Sequence, residues 1–569
     1  MLIGIDLGTT NSLAACFRNG KVEIIPNRLG KKLTPSVVSV DDEGSILIGE
    51  TAREYGYLHP DRTAKVFKRT MGTDHEYDLA GMKFSSEELS GFVLRSLKED
   101  AEVYLGEAVH EAIISVPAYF NDNQRKATKR AGELAGLTVS RIINEPTASA
   151  IAYGVGEEGT VERCMIFDLG GGTFDVTILE YFKNIMEVYA IAGDNFLGGE
   201  DFTQVLVEMY LQRLLVASVN LLDLRTLSNI YKAAEEAKCS FSEHDTVTMA
   251  VNVFGVLHEE QFTLEEYEEA CRPLLEKLRK PIEKSLRDAK VTLDDLDRVI
   301  LVGGATRLKI VRDYVKKVTG IYPDWYVDPD TSVAQGAALQ CAMKERDQRI
   351  EEVILTDVCP FTLGTEVVRD NGAFEEPGHY LPIIERNTVI PVSRTQTVYT
   401  AHDNQKIVTV KVLQGESYMA RNNLLLGSLT VEVPVGPKGQ EAIEITYTYD
   451  VNSLLEVEVK VVSTGLQKKV IIQNEENKIT EEEARKRFER LQYLKQNPRE
   501  EEENRLAMFR ANRVYEESLG SDKDRIGEMI GEFDNALNNS TRLEVELTRK
   551  KLEDLLDEIE NKGFTGLIS

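Results

Sequence analysis

The sequence predicts a multidomain chain: a two-lobed α/β unit in front, a small β-sandwich behind it, and a helical segment at the end. Three observations carry this. Two aspartate–glycine–threonine turns of the same construction lie far apart in the front part, Gly4-Ile5-Asp6-Leu7-Gly8-Thr9-Thr10 and Asp168-Leu169-Gly170-Gly171-Gly172-Thr173-Phe174-Asp175. Strand-like and helix-like segments alternate from Met1 to Ala342, and from Val353 the apolar period shifts to two. From Ile479 the composition becomes rich in Glu, Arg and Leu at helical spacing.

The bulk properties bound the function. A chain of 569 residues is too long for one core, so about two to four domains are expected. Its 67 basic and 95 acidic residues leave a net charge of −28, which disfavours nonspecific binding to nucleic acid or to an anionic membrane. No apolar run reaches the length of a membrane span. The N-terminus carries no basic segment and enters a strand at once, so a signal peptide is not expected and a cytoplasmic location is. Cys16, Cys164, Cys239, Cys271, Cys341 and Cys359 show no C-x-x-C spacing; they read as reduced core residues, not as metal ligands.

Taken in order, each glycine turn is reached by an apolar run and followed by a second strand, Ser12 to Phe17 and Val176 to Leu179. Glycine lets the backbone approach closely and aim N–H groups inward, which suits phosphate. An aspartate closing each first strand suits Mg²⁺, a cation that prefers oxygen and retains water. Two such turns facing each other would grip a nucleoside triphosphate from both sides, the mark of a two-lobed ATPase. Helices are expected over Ser86–Leu105, Asp122–Ala135, Pro146–Tyr153, Gly199–Leu215 and Leu264–Ala289. A third turn, Leu301-Val302-Gly303-Gly304-Ala305-Thr306-Arg307, ends a strand and opens a helix; its backbone suits an adenosine or α-phosphate, with Arg307 on the purine face.

Other signals carry less. Gly154-Val155-Gly156-Glu157-Glu158-Gly159 has dinucleotide-fingerprint spacing but follows a helix and precedes a strand, the reverse of what that motif needs. It is a turn. No G-x-x-x-x-G-K-[ST] occurs, so the phosphate site is not a Walker loop. Spacing alone makes Lys68 a solvated surface residue and Glu145, before Pro146, a helix-start charge. The acid-flanked run Glu351-Glu352-Val353-Ile354-Leu355-Thr356-Asp357 reads either as a buried strand or as a movable linker. Behind it, alternation in Ile407–Val412, Leu429/Val431/Val433, Ile443/Ile445/Tyr447/Tyr449 and Leu455/Val457/Val459/Val461 predicts antiparallel strands with one buried face. In the last segment Thr480 with Glu483 reads as a capping box. Leu543/Leu547 and Leu552/Leu555/Leu556/Ile559 read as stripes for bundle packing.

These turns, together with Val116-Pro117-Ala118-Tyr119-Phe120-Asn121-Asp122, Ile142-Ile143-Asn144-Glu145-Pro146-Thr147-Ala148, Gly198-Gly199-Glu200-Asp201-Phe202, Asn404-Gln405 and Leu413-Gln414-Gly415-Glu416, resemble the seventy-kilodalton heat-shock (DnaK-type) chaperones. The resemblance spans essentially the whole chain, and the compact length suggests the short bacterial HscC-like branch. It implies a two-lobed actin-like (duplicated RNase-H-like) ATPase domain over 1–350, an interdomain linker over 351–358, a β-sandwich peptide-binding domain over 359–475 and an α-helical lid over 476–569. The implied activity is an ATP-dependent chaperone that binds extended apolar segments of unfolded proteins. The rival readings are a small-metabolite (sugar-type) kinase, which would give no reason for the sandwich and lid, and a filament protein, which would lack the last domains.

The resemblance also assigns roles. Asp6 and Asp168 would hold Mg²⁺, mainly through water, with K⁺ as a further ion. Lys68 would position the attacking water, with Glu145, Thr173 and Asp175 around it. Gly8, Thr9, Thr10, Asn11, Gly170, Gly171, Gly172 and Thr173 would bind phosphates of ATP or ADP. Glu235, Lys238, Ser242, Gly303, Gly304, Ala305, Thr306, Arg307 and Asp330 would hold the adenosine. Pro117, Arg125 and Arg141, with Val353, Ile354, Leu355 and Asp357 of the linker, would relay nucleotide state or meet a J-domain cochaperone. The peptide cleft maps onto Val368, Val398, Ala401, Val408 and Val410, although valines at 408 and 410 also suit a core. The chain is short between Gly72 and Ser85, which trims one small subdomain, and between Glu243 and Phe262, where the family carries a loop that contacts nucleotide exchange factors, so the resemblance does not carry over dependence on such a factor. Thr356 stands where the linker usually has its last leucine.

Overall fold

A computed structural model describes residues 1–154, 161–182, 185–214, 222–253, 256–345, 354–370, 375–450, 454–472, 502–518, 520–539 and 542–565. Its contacts divide the chain into a front unit, Met1–Thr362 with Glu385–Thr388, and a rear unit, Leu363–Ile384 with Val389–Ser569. The residues Val155–Gly159, Val353, Thr480 and Glu483 lie outside the described residues.

Two mixed sheets of the same construction support the front unit. In the first, Leu2–Asp6 has Glu111–Val116 parallel on one side and Asn11–Arg18 antiparallel on the other, with Thr138–Asn144 and Lys21–Ile25 beyond them. In the second, Val161–Leu169 has Arg298–Val302 parallel on one side and Phe174–Phe182 antiparallel on the other, then Ile185–Asp194. Order and sense repeat, so each glycine turn joins the first strand of its sheet to that strand's antiparallel neighbour. The central strands are buried almost throughout because both of their faces are covered. Each sheet has its own core, with Ile5, Val93, Leu97 and Phe120 in one and Phe167, Phe174, Phe202 and Tyr267 in the other.

The helices begin where capping chemistry starts them. Ser85 with Glu88, Asn121 with Gln124, and Thr263 with Glu266 form reciprocal capping boxes for Ser86–Leu105, Asp122–Leu134 and Leu264–Ala289. The helix from Gly199 ends at Arg213, two residues before the expected boundary. Helix Glu145–Tyr153 touches strands of both sheets and crosses helix Ser332–Lys344, which lies on the first sheet. That crossing requires glycine: a Cβ on Gly336 would sit 1.7 Å from the Ala148 carbonyl oxygen. Of the two readings for the acid-flanked run, its second half is a strand, Ile354–Val358, paired in parallel with Ile185–Asp194.

In the rear unit, two antiparallel sheets carry the alternating segments. One runs in the order Glu375–Ile384, Leu363–Asp370, Ile407–Gln414, Leu424–Glu432, and the other Val392–Tyr399, Ala442–Tyr449, Leu455–Val461, Gln467–Ile472. The Tyr447 hydroxyl, fully buried, donates to Gly364 O across the two sheets at 3.0 Å. Helices Glu502–Glu517, Ser521–Asn539 and Arg542–Thr565 pack on one another around Val514, Ile526, Phe533, Leu552 and Leu556. Leu555 and Ile559 pack against that core, as their spacing predicts. Leu547 does not: it is 53% exposed, and Val545 takes the buried position on that turn.

Candidate functional site

The glycine turns of the front unit meet. A Cβ on Gly171 would lie 2.3 Å from Thr10 Oγ1, and one on Gly172 would lie 2.4 Å from Thr9 Cγ2, so the two phosphate-type turns touch backbone to side chain. Gly303, at φ 83°, approaches so closely that a Cβ would be 2.4 Å from Leu169 O. Only glycine tolerates such contacts. Backbone bonds fix the turns: Gly170 N–H donates to Thr173 O at 3.0 Å, Gly199 N–H to Gly170 O at 2.9 Å and Gly303 N–H to Pro329 O at 3.2 Å. Ser12 accepts from Gly8 N–H at 3.1 Å, and Ser36 donates to Gly8 O at 2.8 Å.

Between the turns opens a cavity of about 1140 Å³. Its wall includes Asp6, Gly8, Thr9, Thr10, Asn11, Lys68, Glu145, Asp168, Gly170, Gly171, Thr173, Glu235, Lys238, Ser242, Gly303, Gly304, Ala305, Arg307 and Asp330. Gly172, Asp175 and Thr306 lie behind this wall. Thr306 is buried, with its hydroxyl donating to Gly303 O at 2.7 Å, so it braces the turn from within.

Carboxylates collect on the cavity floor. Asp6 and Asp168 end the first strands, and Asp175 pairs with Asp168 across the second hairpin. Burial, then the nearby Glu145 carboxylate, pushes Asp6 and Asp175 up to about 7. Burial also holds Asp168 well above the usual carboxylate range, helped by Glu145, Asp175 and Asp6. Asp6 accepts from the Ser115 hydroxyl at 2.8 Å, and Asp175 from Ala118 N–H at 2.9 Å. Asp168 Oδ2 is buried without a hydrogen-bond partner. Among the described residues the cation against this floor is Lys68, buried, with Nζ 2.7 Å from Glu145 Oε1. Lys68 is therefore no surface residue, and Glu145 opens its helix while accepting a buried ammonium. An all-oxygen floor with excess negative charge and an orphaned carboxylate oxygen fits a hard divalent cation. Among the described residues no group of His, Cys, Asp and Glu converges to hold an ion directly, so a cation here would keep much of its water.

At the other end of the cavity, Lys238 Nζ lies 2.7 Å from Glu235 and donates to Thr203 Oγ1 at 2.9 Å. Burial alone would raise Glu235, but the Lys238 ammonium and the hydroxyl donor outweigh it and hold the carboxyl low. Arg307 donates through Nε to Asp330 at 2.8 Å and also pairs with Asp328. Arg69, which spacing did not single out, joins Gly172 O at 2.9 Å and Asp201 at 2.5 Å. Its only sequence signal is adjacency to Lys68.

A chain of hydrogen bonds leaves the floor for the run after residue 353. Ala118, next to buried Pro117, donates to Asp175 and accepts from Arg125 Nη2 at 3.1 Å. Arg125 also donates to Asn144 Oδ1 at 2.7 Å, and Asn144 Nδ2 donates to Asp357 Oδ2 at 2.7 Å. Asp357 Oδ1 accepts from Val358 N–H at 2.8 Å. Ile354 and Leu355 pair by backbone with Ile185 and Met186. Arg141 donates to Gln340 at 2.8 Å, and its charge, with that of Arg125, acts on Asp357 against the effect of burial. The turn Glu385–Thr388 is fastened in the same unit: Arg386 donates twice to Asp288, both at 2.9 Å. Asn144 was missed because its contacts lie far away along the chain.

In the rear unit Val408 and Val410 sit two apart on one strand; Val410 is buried and Val408 half-buried. Val368 falls at a register shift in Leu363–Asp370, and Val398 pairs with Ile443 on the second sheet. Ala401, in the turn after that strand, donates its N–H to Gln405 Oε1 at 2.9 Å.

Fold and cleft together define a two-lobed α/β unit around a glycine-walled cavity, with a β-sandwich and a helical bundle in the rear unit. A model of the family described as Hsp70 protein matches residues 2–80 and 74–565. The chain is 38% identical over 575 residues to the Chaperone protein DnaK of Thermosipho melanesiensis, covering 97% of this chain and 95% of that one. It is 40% identical over 565 residues to the Chaperone protein DnaK of Thermotoga petrophila and of Thermotoga maritima, covering 95% of this chain and 93% of each. The chain belongs to the Hsp70 family. Membership implies a two-lobed actin-like ATPase, a β-sandwich and a helical lid, and the sheets and helices described above conform to it. No described helix is long and apolar enough to cross a membrane.

Proposed function

We propose that the glycine-walled cavity is the ATP-hydrolysing site and that its occupancy is transmitted along Ala118, Arg125, Asn144 and Asp357 to the linker strand. As an Hsp70-family protein the chain is an ATPase and an ATP-dependent chaperone of unfolded polypeptides, which leaves the metabolite-kinase reading without support. The hydrogen-bond path between Asp175 and Asp357 is the observation that carries the coupling.

Phosphoryl transfer needs positioning and charge neutralisation more than covalent chemistry. The N–H groups of Thr9, Thr10 and Gly170–Thr173 would take the phosphate oxygens. Asp6 and Asp168 would hold Mg²⁺ through its water shell; the bound ion supplies charge neutralisation on the β- and γ-phosphates. Lys68, fixed by Glu145, would orient the attacking water, with Thr173 and Asp175 as further polar groups, and K⁺ is a compatible additional ion. Glu235, Lys238, Ser242 and the Gly303–Arg307 turn with Asp330 would hold the adenosine.

In the rear unit, Val368, Val398, Ala401, Val408 and Val410 would contact an extended client, with buried Val410 also serving the core. Main-chain hydrogen bonds would give sequence-tolerant affinity. Pro117, Arg125 and Arg141 would relay nucleotide state or meet a J-domain cochaperone. A cytoplasmic location, with no nucleic-acid or membrane partner, accords with the −28 charge. The test is Asn144→Ala in the intact chain. It should hydrolyse ATP while losing most ATP-triggered release of a bound apolar heptapeptide; normal release would refute the path.

A further inference from the structure

The chain has one tryptophan, and it lines the nucleotide cavity together with Arg307, Arg312 and Asp330. It lies in Gly320-Ile321-Tyr322-Pro323-Asp324-Trp325-Tyr326, a segment pinned on both sides of the indole. Asp324 N–H donates to Val299 O at 2.7 Å, and Leu301 N–H donates to Asp324 O at 2.9 Å. The next residue, Tyr326, donates its hydroxyl to Tyr153 O at 2.7 Å. The segment is thus tied to strand Arg298–Val302, which ends at the Gly303 turn. The Arg312 guanidinium stands 4.0 Å from the Trp325 ring centre, yet 48% of the residue remains exposed. A large aromatic held half-open beside a purine site, with a guanidinium on it, is a stacking platform.

We infer that Trp325, backed by Arg312, is a base-contact residue that extends the adenosine subsite and holds the purine by stacking. The inference rests on the proposed placement of ATP in this cavity. Stacking acts on the base alone, so it governs nucleotide affinity and residence.

Because tryptophan emission, excited selectively over the 21 tyrosines, comes from one residue, ADP titration reads the platform directly. ADP should change the emission along the same isotherm that calorimetry gives. Trp325→Ala should weaken ADP about tenfold, and Trp325→Phe should stay within about threefold of the parent. Equal ADP affinity in the parent and Trp325→Ala overturns the inference. So does a loss of kcat and affinity together that Phe does not rescue, which marks a merely structural role. If ADP fails to bind the parent chain, the placement of ATP and the inference both fall; if ADP binds but ignores Trp325, the inference alone falls.

Discussion

Lys68 and Glu145 are 77 residues apart in sequence and 2.7 Å apart in the fold. Neither role was legible from spacing, because a buried ion pair leaves no local periodic mark; the family resemblance supplied it. Replacing Lys68 by Ala strips the floor of its cation and leaves Glu145 buried beside other carboxylates. Single-turnover hydrolysis should fall by about a hundredfold or more, while ATP binding by calorimetry persists; unchanged turnover would contradict the role. The same floor predicts a pH signature in metal-free, nucleotide-free protein. Asp6 and Asp175 sit near 7, above their usual range, because burial and Glu145 disfavour their charged forms. The folded state then holds more protons than the unfolded state from about pH 4 upward. The stability from this excess is complete below that pH and is lost as pH rises through 7. The melting temperature of chelator-treated protein should therefore fall as pH rises from about 4 to about 7 and level off above it, and a flat profile over that window would contradict the burial argument.

Elements differ in how far their sequence announces them. The glycine turns were legible because their requirement is local: no Cβ fits within 3 Å of Thr9, Thr10 or Leu169 O. The capped helices and the period-two strands were legible for the same reason. Leu547 was misplaced because the buried seam runs through Val545, Leu552 and Leu556, and a position two residues on from Val545 faces away from it. Gly336 went unnoticed, since its constraint comes from the crossing helix. Gly336→Ala should cost roughly 1–3 kcal/mol by overpacking, seen as a lower melting temperature with rear-unit peptide binding retained; an unshifted melt would show that the crossing yields. The linker strand gives the sharpest test at this scale. Asp357 accepts from Asn144 on one oxygen and from Val358 N–H on the other, and an amide cannot accept on both sides. Asp357→Asn should leave ATP hydrolysis intact and uncouple peptide release from ATP, measured by stopped flow; ATP-triggered release at the parent rate would contradict the assignment.

For the molecule as a whole, the succession of mixed α/β, period-two strands and helices was readable from changes of period and composition, and the cleft from its paired turns. What the sequence could not display was the route between them, because Ala118, Arg125, Asn144 and Asp357 become neighbours only after both lobes and the linker strand have formed. The central claim is that nucleotide occupancy in the front unit sets the grip of the rear unit on a client. Linkage makes this reciprocal: client binding must shift nucleotide affinity by the same factor, typically worth about 1–3 kcal/mol. The most direct measurement is the dissociation rate of a labelled apolar heptapeptide from the intact chain, with ADP and then with ATP. The account predicts a rate at least about fivefold faster with ATP, and the same factor in ATP affinity with and without peptide; equal rates in both nucleotides would contradict it.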